Sequence, residues 1–272
     1  MQLVSSPRVE KVRGWVLAVV VLFVALAVAA PASAAKSITE LVHRADHVLR
    51  GKTSAALLTM HVHTKSYDRT YSMVYWGDER SSKSRALIKV LGPARWRGHG
   101  TLKIGGRLSL YDPSSDRVTV LSSSMLGDNW MGSHFTNDDL VKETDLAEDY
   151  VAHMEKTWVA DADGKPARYY RVKLDPTPKA PVAWNHITVQ LYEQGSHVIP
   201  TREEYYRRAG QKTPTRTLTM SDVKDMSGRL VPTKLVMHVA AKPGEYTELA
   251  YKKVRFDVNV PASKFTEQAL RQ

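Results

Sequence analysis

Residues 58–63 read Leu-Thr-Met-His-Val-His, and residues 71–76 read Tyr-Ser-Met-Val-Tyr-Trp. Leu58, Met60 and Val62 alternate with Thr59, His61 and His63. Tyr71, Met73 and Tyr75 alternate with Ser72, Val74 and Trp76. A strand sends successive side chains to opposite faces, so this period of two predicts extended strands with two distinct faces. Gly77-Asp78 and Ser81-Ser82 punctuate the runs, and Ala86, Ile88 and Val90 resume them. Thr101–Ile104 and Arg107–Tyr111 flank Gly105-Gly106, the pattern of a hairpin with a two-residue turn, and Arg117–Leu121 follows.

The same reading extends to the C-terminus. Val151–Val159 and Ala167–Leu174 flank a turn at Asp161–Gly164, and Ile187–Glu193 and Val198–Tyr206 flank Gln194-Gly195-Ser196. Thr215–Val223, Leu230–Val239 and Thr247–Phe256 complete the series, with turns at Ser227-Gly228 and Pro243-Gly244. These runs amount to about eleven strands joined by short turns, with no helix alternating between them, which argues against a parallel α/β fold. The expectation is a mainly β (α+β) fold: a strongly curved antiparallel sheet or incomplete β-barrel with a few helices packed inside or over it.

One helix is clear. Ser37-Ile38-Thr39-Glu40 is a capping box, and Ile38, Leu41, Val42, Ala45, Val48 and Leu49 form one apolar stripe. Arg50 suits the C-terminal end of a helix dipole and Gly51 a helix stop, so the helix is expected to run to about that point.

Residues 124–140, Ser-Met-Leu-Gly-Asp-Asn-Trp-Met-Gly-Ser-His-Phe-Thr-Asn-Asp-Asp-Leu, fit neither period. Apolar bulk sits beside Gly127 and Gly132 and a run of polar caps, which reads as a lid over a cavity. A curved sheet whose concave side is incompletely plugged leaves such a cavity, and ligand cavities are lined by apolar and aromatic groups. The candidates are Trp76, Trp96, Met125, Leu126, Trp130, Met131 and Phe135. Most Met and Trp side chains simply fill a core; the 124–140 residues stand out because they lie outside the strand pattern. Trp130→Asp is expected to abolish ligand uptake by that cavity and leave the fold intact.

Little argues for catalysis. His43 and His47 have a helical metal-ligand spacing, but the glutamate of the zinc-protease motif and a third ligand are missing. His61 and His63 read as a polar outer face. Asp138 and Asp139, with Glu143, Asp145 and Glu148 nearby, read as helix caps and first-turn acids rather than a catalytic pair or a calcium loop. There is no Gly-x-Ser-x-Gly elbow, no cysteine nucleophile and no phosphate-cradling loop. The sequence therefore predicts no enzyme, no metal and no cofactor.

Residues 1–34 read as an address. Arg8, Lys11 and Arg13 precede an apolar stretch, Val16 to Ala30, and then Ala32-Ser33-Ala34. The stretch has the length of a signal peptide rather than a membrane span, and cleavage is expected between Ala34 and Ala35. The remainder, 35–272, reads as a single periplasmic domain. With no cysteine it must be held by its own core, without disulfides. The net charge of +11 favours anionic membrane surfaces or an acidic partner; dispersed basic residues and the absence of a nucleic-acid motif argue against nucleic acid. A monomer is expected.

Residues 130–140 also resemble a signature of the outer-membrane lipoprotein-sorting family, the LolA/LolB-like periplasmic carriers: Gly, Ser or Thr, an acid and Phe, closing on Asp-Leu. Three further stretches resemble that family in the expected order: 90–102, with Gly92-Pro93 and Arg97-Gly98; 230–235, Leu-Val-Pro-Thr-Lys-Leu; and 251–265, closing on Pro261 and Phe265. His134 departs from the pattern, standing where the family usually carries an acid. The resemblance implies a LolA-like half β-barrel with a helical lid and a hydrophobic cavity. It further implies a carrier of lipoprotein acyl chains or other lipids, beside an inner-membrane exporter and towards an outer-membrane acceptor. The alternative on the same fold is a periplasmic sensor or interaction module that binds a protein or lipid signal without transfer.

Overall fold

The computed structural model describes residues 37–141, 146–180 and 183–272. The expected signal peptide, 1–34, and the acids Glu143 and Asp145 lie outside them. From Lys36 to Gln272 the chain forms one compact unit. It opens with helix α1 (Ile38–Asp46), capped as expected: the Ser37 hydroxyl accepts from the Glu40 amide at 3.1 Å.

Among the described residues thirteen strands follow, all in one antiparallel sheet. They are β1 (Thr53–His63), β2 (Asp68–Asp78), β3 (Arg85–Gly92), β4 (Gly100–Ile104), β5 (Arg107–Asp112), β6 (Arg117–Val120), β7 (Tyr150–Ala162), β8 (Lys165–Pro176), β9 (His186–Gln194), β10 (His197–Tyr206), β11 (Arg216–Met226), β12 (Arg229–Val239) and β13 (Tyr246–Phe256). All thirteen fall on alternating runs named from the sequence, including the three short ones around 101–120, so the expected eleven or so undercounted those runs. Short helices α2 (Asn137–Val141), α3 (Leu146–Asp149) and α4 (Glu267–Arg271), with 3-10 turns at Ala94–Trp96, Ser123–Met125, Trp130–Gly132 and Ala262–Phe265, complete the described elements.

The strand order is β6-β5-β4-β3-β2-β1-β13-β12-β11-β10-β9-β8-β7. The chain thus meanders from β1 outward to one edge, jumps to the opposite edge, and meanders back until β13 pairs with β1. Among the described residues β6 pairs only with β5 and β7 only with β8, so the sheet stays unclosed. The 121–149 connection must travel between the two open edges, which is why it fits no strand period.

Local chemistry sets the turns. Ser227-Gly228 and Asp163-Gly164 have positive φ at both positions (57° and 79°, 53° and 79°), the geometry of tight hairpin turns whose twist matches the flanking strands. They fix the register of β11 with β12 and of β7 with β8.

Core packing shows which faces point inward. Leu58, Met60, Val62, Tyr71 and Met73 cluster with Trp130. Tyr170, Val172 and Leu174 from β8, and Ile187, Val189 and Leu191 from β9, pack against Leu41, Val42 and Ala45 of α1. The helix ends at Asp46, several residues before Gly51. Val48 and Leu49 leave the helical stripe to fill other clusters, and Arg229 Nη1 donates to the freed Arg50 carbonyl at 3.0 Å. Burial on separate parts of the sheet outweighs continuation of one helical stripe.

At the other end the fully buried Leu270 of α4 packs over β4, and the buried Lys89 ammonium donates to its carbonyl at 2.6 Å. Gly100 permits this approach, since a Cβ there would lie 2.5 Å from Leu270 Cδ1. Among the described residues no helix is long and apolar enough to cross a membrane.

Candidate functional site

The connection between the edges folds into a compact turn at residues 129–136. Asn129 bridges Thr136, and the Trp130 amide donates to the Phe135 carbonyl at 2.8 Å. Three separate strands and the loop before β2 then hold it and the start of α2. Trp130 Nε1 donates to Thr101 Oγ1 at 3.1 Å; the Tyr67 hydroxyl, just before β2, donates to the Gly132 carbonyl at 2.5 Å; the His134 amide donates to Thr247 Oγ1 at 2.9 Å; and Arg216 grips Asp139.

Gly132 is required here by a close approach. Its φ is 73° and a Cβ would lie 2.8 Å from the Tyr67 hydroxyl. Met131 shares the left-handed region at 53°, a conformation a methionine adopts only where its surroundings impose it. The segment is therefore a pinned cover rather than a swinging flap.

His134 belongs to that pinning. It is buried, its Nδ1 lies 2.8 Å from Thr247 Oγ1, and its Nε2 faces Glu245 Oε2 at 3.4 Å. Burial lowers its pKa against the opposing pull of Glu245, so the ring is held neutral. Where the resembled family usually has an acid, this chain has a neutral hydrogen-bonding group.

Beneath the cover lies a cavity of about 280 Å³. Five successive strands supply one wall: Ile187 from β9, Glu203 and Tyr205 from β10, Leu218 from β11, Met237 from β12 and Leu249 from β13. Glu203 and Tyr205 are two apart, hence on one face. The cover adds Trp130, Phe135 and Leu140, while Leu146, Tyr150 and Trp184 close the sides.

Charge is set into this apolar lining. Arg216, 7 % exposed, makes a bidentate pair with Asp139, Nη2 to Oδ2 at 2.7 Å and Nη1 to Oδ1 at 3.2 Å. Its guanidinium lies 5.6 Å from the ring centres of both Trp184 and Tyr205. Asp139 also accepts from the Thr136 amide at 2.7 Å, so one carboxylate caps α2 and anchors it to β11. Asp46 and Arg50 reach the same cavity from the end of α1.

The Tyr205 hydroxyl donates to Glu203. Burial pushes the Glu203 carboxyl up to about 7; the Tyr205 hydrogen bond opposes this and nearby Asp46 adds to it. From the ordinary value near 4.5 up to about 7, the folded chain keeps a proton that the unfolded chain releases. Stability is therefore lost as pH rises through that window. Glu203→Gln removes the titration. Between pH 4 and pH 8 its stability is expected to gain about 3 kcal/mol relative to the parent chain. Parallel urea titrations of both proteins check this, and a constant gap across pH would contradict it.

Comparison with known proteins places this architecture. Residues 82–272 match the model of a family described as uncharacterized protein. The chain belongs to that family. No curated protein matches it. Among solved structures it is similar to a domain assigned to an outer-membrane lipoprotein-sorting protein from Vibrio parahaemolyticus, at 22% identity over 86% of this chain and 98% of that one, with a TM-score of 0.69. It is also similar to a DUF1329 family protein from Desulfovibrio piger, at 18% identity over 85% and 97%, TM-score 0.72. A third is a LolA superfamily protein from Nitrosomonas europaea, at 19% over 84% and 97%, TM-score 0.63. At these identities the likeness is one of fold. The fold is LolA-like: a curved, unclosed antiparallel sheet with few helices, as the sequence resemblance implied.

Of the seven residues singled out from the sequence, Trp130 and Phe135 line the cavity. The other five lie elsewhere. Trp76 sits in the β3–β4 and α4 cluster, with the Lys264 ammonium 4.7 Å from its ring. Trp96 packs edge-on against Tyr71 at 5.7 Å between ring centres. Met131 fills the core beside Trp130. Met125 is exposed and Leu126 half-buried on the strap leading to the cover, where their carbonyls accept from Asn137 Nδ2 and the Asp138 amide.

Sequence reading missed the polar members: Asp46, Arg50, Glu203, Tyr205 and Arg216. A signal existed in β10 and β11, where Glu203, Tyr205 and Arg216 share inward faces with apolar neighbours, but period alone does not say which face is concave. Among the described residues no cluster of three or more His, Cys, Asp or Glu is arranged to hold a metal. His43 and His47 stack on each other at 4.2 Å, and His61 and His63 both engage Asp68 at 2.7 and 2.8 Å on the outer face.

Proposed function

We propose that this protein is a non-enzymatic periplasmic carrier that binds acyl chains of lipoproteins or other lipids and moves them towards the outer membrane. The observation that carries this reading is the apolar cavity between the concave sheet face and the pinned 129–136 turn. Moving a lipid chain through water requires shielding it, at about 0.8 kcal/mol per methylene. The shared fold with a lipoprotein-sorting domain supports the same reading. Residues 1–34 act as the export signal, cleaved between Ala34 and Ala35, and 35–272 as the carrier domain. An inner-membrane exporter and an outer-membrane acceptor are its expected partners, met through the basic surface implied by the excess of Lys and Arg over Asp and Glu that 35–272 retain.

Uptake of an environment-sensitive fluorescent acyl probe by the delipidated protein tests the carrier. Trp130→Asp is a poor probe of it: Trp130 is 3 % exposed and bonded to Thr101, so a buried unpaired charge would cost the fold as well as the cavity. Leu249→Trp, which fills the half-buried cavity wall, is expected to reduce probe affinity at least tenfold while the melting transition stays cooperative. Absence of uptake by the parent protein, or unchanged uptake by the cavity-filled variant, sinks the reading.

A further inference from the structure

A second cavity, of about 320 Å³, abuts the first and shares Arg50, Asp139 and Leu140 with it. Its chemistry differs. Tyr75, Ser81, Ser82, Ser84 and Thr101 bring five hydroxyl-bearing side chains to its lining, beside the apolar Ala86, Ile88 and Leu108; the Ser81 hydroxyl donates to the Lys83 carbonyl at 2.6 Å and keeps its acceptor capacity. Ser81 and Ser82 are exposed on the loop joining β2 to β3, so this compartment opens at that end of the sheet. An aliphatic and aromatic compartment thus adjoins a hydroxyl-lined one that reaches solvent.

We propose that the two compartments together hold one single-chain amphiphile with an uncharged, hydroxyl-bearing head, its chain beneath Trp130 and its head among Tyr75, Ser81 and Ser82. The inference rests on the carrier reading and names the class of cargo.

Three physical considerations lead to this class. The first is compartment matching: the chain gains from leaving water in one half, while head hydroxyls can both donate to and accept from serine hydroxyls in the other. The second is charge. The second compartment is lined by two bases, Arg50 and Lys103, and two acids, Glu79 and Asp139. Asp139 and the Arg216 that the first cavity adds offset each other as a pair, and that cavity also adds the carboxyls of Asp46 and Glu203. An anionic head would give up its hydration and meet no net positive field. The third is size. Taken together, the adjoining cavities of about 280 and 320 Å³ fall in the range that takes one drug-sized molecule, about 300–1,000 Å³, rather than a lipid with several chains.

Titration of the delipidated protein with 1-monopalmitoylglycerol, methyl palmitate and palmitate, followed by tryptophan fluorescence, tests the class, since Trp130 and Trp184 line the cavity. The monoacylglycerol is expected to bind about tenfold tighter than either of the others, the worth of one or two net hydrogen bonds. Ser81→Ala/Ser82→Ala, on an exposed loop, is expected to bring it down to the methyl ester's affinity and leave the methyl ester unchanged. Tightest binding by palmitate overturns the inference, as does equal binding of the two neutral probes or a double variant that keeps the preference. Binding of none of the three overturns the carrier reading along with it. Binding of all three without preference overturns only the head-group assignment.

Discussion

Asp78→Ala is expected to destabilise the protein by about 3 kcal/mol, because it removes a buried carboxylate and leaves the partly buried Arg85 and the half-exposed Arg80 without their shared partner. Asp78 closes β2 with a side chain that is 0 % exposed. Arg80 Nε reaches Oδ1 at 2.8 Å, Arg80 Nη2 reaches Oδ2 at 2.9 Å, and Arg85 bonds Oδ2 as well. Arg80 also donates to the Val260 carbonyl at 3.2 Å, and Arg85 lies 4.9 Å from the Phe265 ring centre. One carboxylate therefore joins the β2–β3 hairpin to the C-terminal tail. Arg80 is half exposed and screened by solvent, so the expected loss sits at the low end of what breaking a buried pair costs.

The Arg80 hydrogen bonds hold the Asp78 carboxyl well below the usual carboxylate range, helped by Arg85 and opposed by burial. The sign follows. A depressed carboxyl contributes its stability above the unfolded value near 3.8 and loses it as pH falls below that. The gap between parent and Asp78→Ala should be full at pH 7 and shrink steadily towards pH 2. Urea unfolding at both ends measures it. A loss under 1 kcal/mol at pH 7, or a gap indifferent to pH, would refute the account.

Arg216→Met is expected to have the second-largest effect, a loss of about 2–3 kcal/mol together with release of the cover. The variant removes the guanidinium from a buried site, leaving Asp139 with the Thr136 amide and partial solvent. It also gives up the contacts with the Trp184 and Tyr205 rings. Arg216→Met/Asp139→Leu should recover much of the loss, since an apolar pair of similar volume replaces an ion pair in a largely apolar cavity. Amide exchange in α2 separates the two consequences. It should accelerate in the single variant because the tether from β11 is cut, and stay fast in the double variant, which lacks both that tether and the α2 cap, even where stability recovers. Unchanged exchange in the single variant would mean that Trp130, Tyr67 and Thr247 hold the segment without Arg216.

Strand existence, turn positions and the capped start of α1 were legible in the residues because their causes are local. Alternation of Leu58, Met60 and Val62 with polar neighbours makes a strand wherever the chain lies, and Ser227-Gly228 makes a hairpin turn for reasons of backbone sterics. The odd status of 124–140 was legible too, and Trp130 and Phe135 do line the cavity. The end of α1 was not, since Val48 and Leu49 fit the helical stripe and leave it only because distant strands offer better burial.

The polar half of the site was illegible for a related reason. Glu203, Tyr205 and Arg216 sit on ordinary strands, and only the curvature of the sheet turns their faces into a cavity wall. The sequence by itself thus determined the mainly β class, the antiparallel meander and the cover's exclusion from the sheet, all consequences of short-range periodicity and turn chemistry. The tertiary structure alone decided that β13 pairs with β1, that the cover is pinned by Thr101, Thr247 and Arg216, and that charged groups meet inside an apolar cavity. Those outcomes depend on residues far apart in the chain, as Trp130–Thr101 and Arg216–Asp139 are. Which of many chemically equivalent partners meet is set by the global path of the sheet rather than by any local pattern.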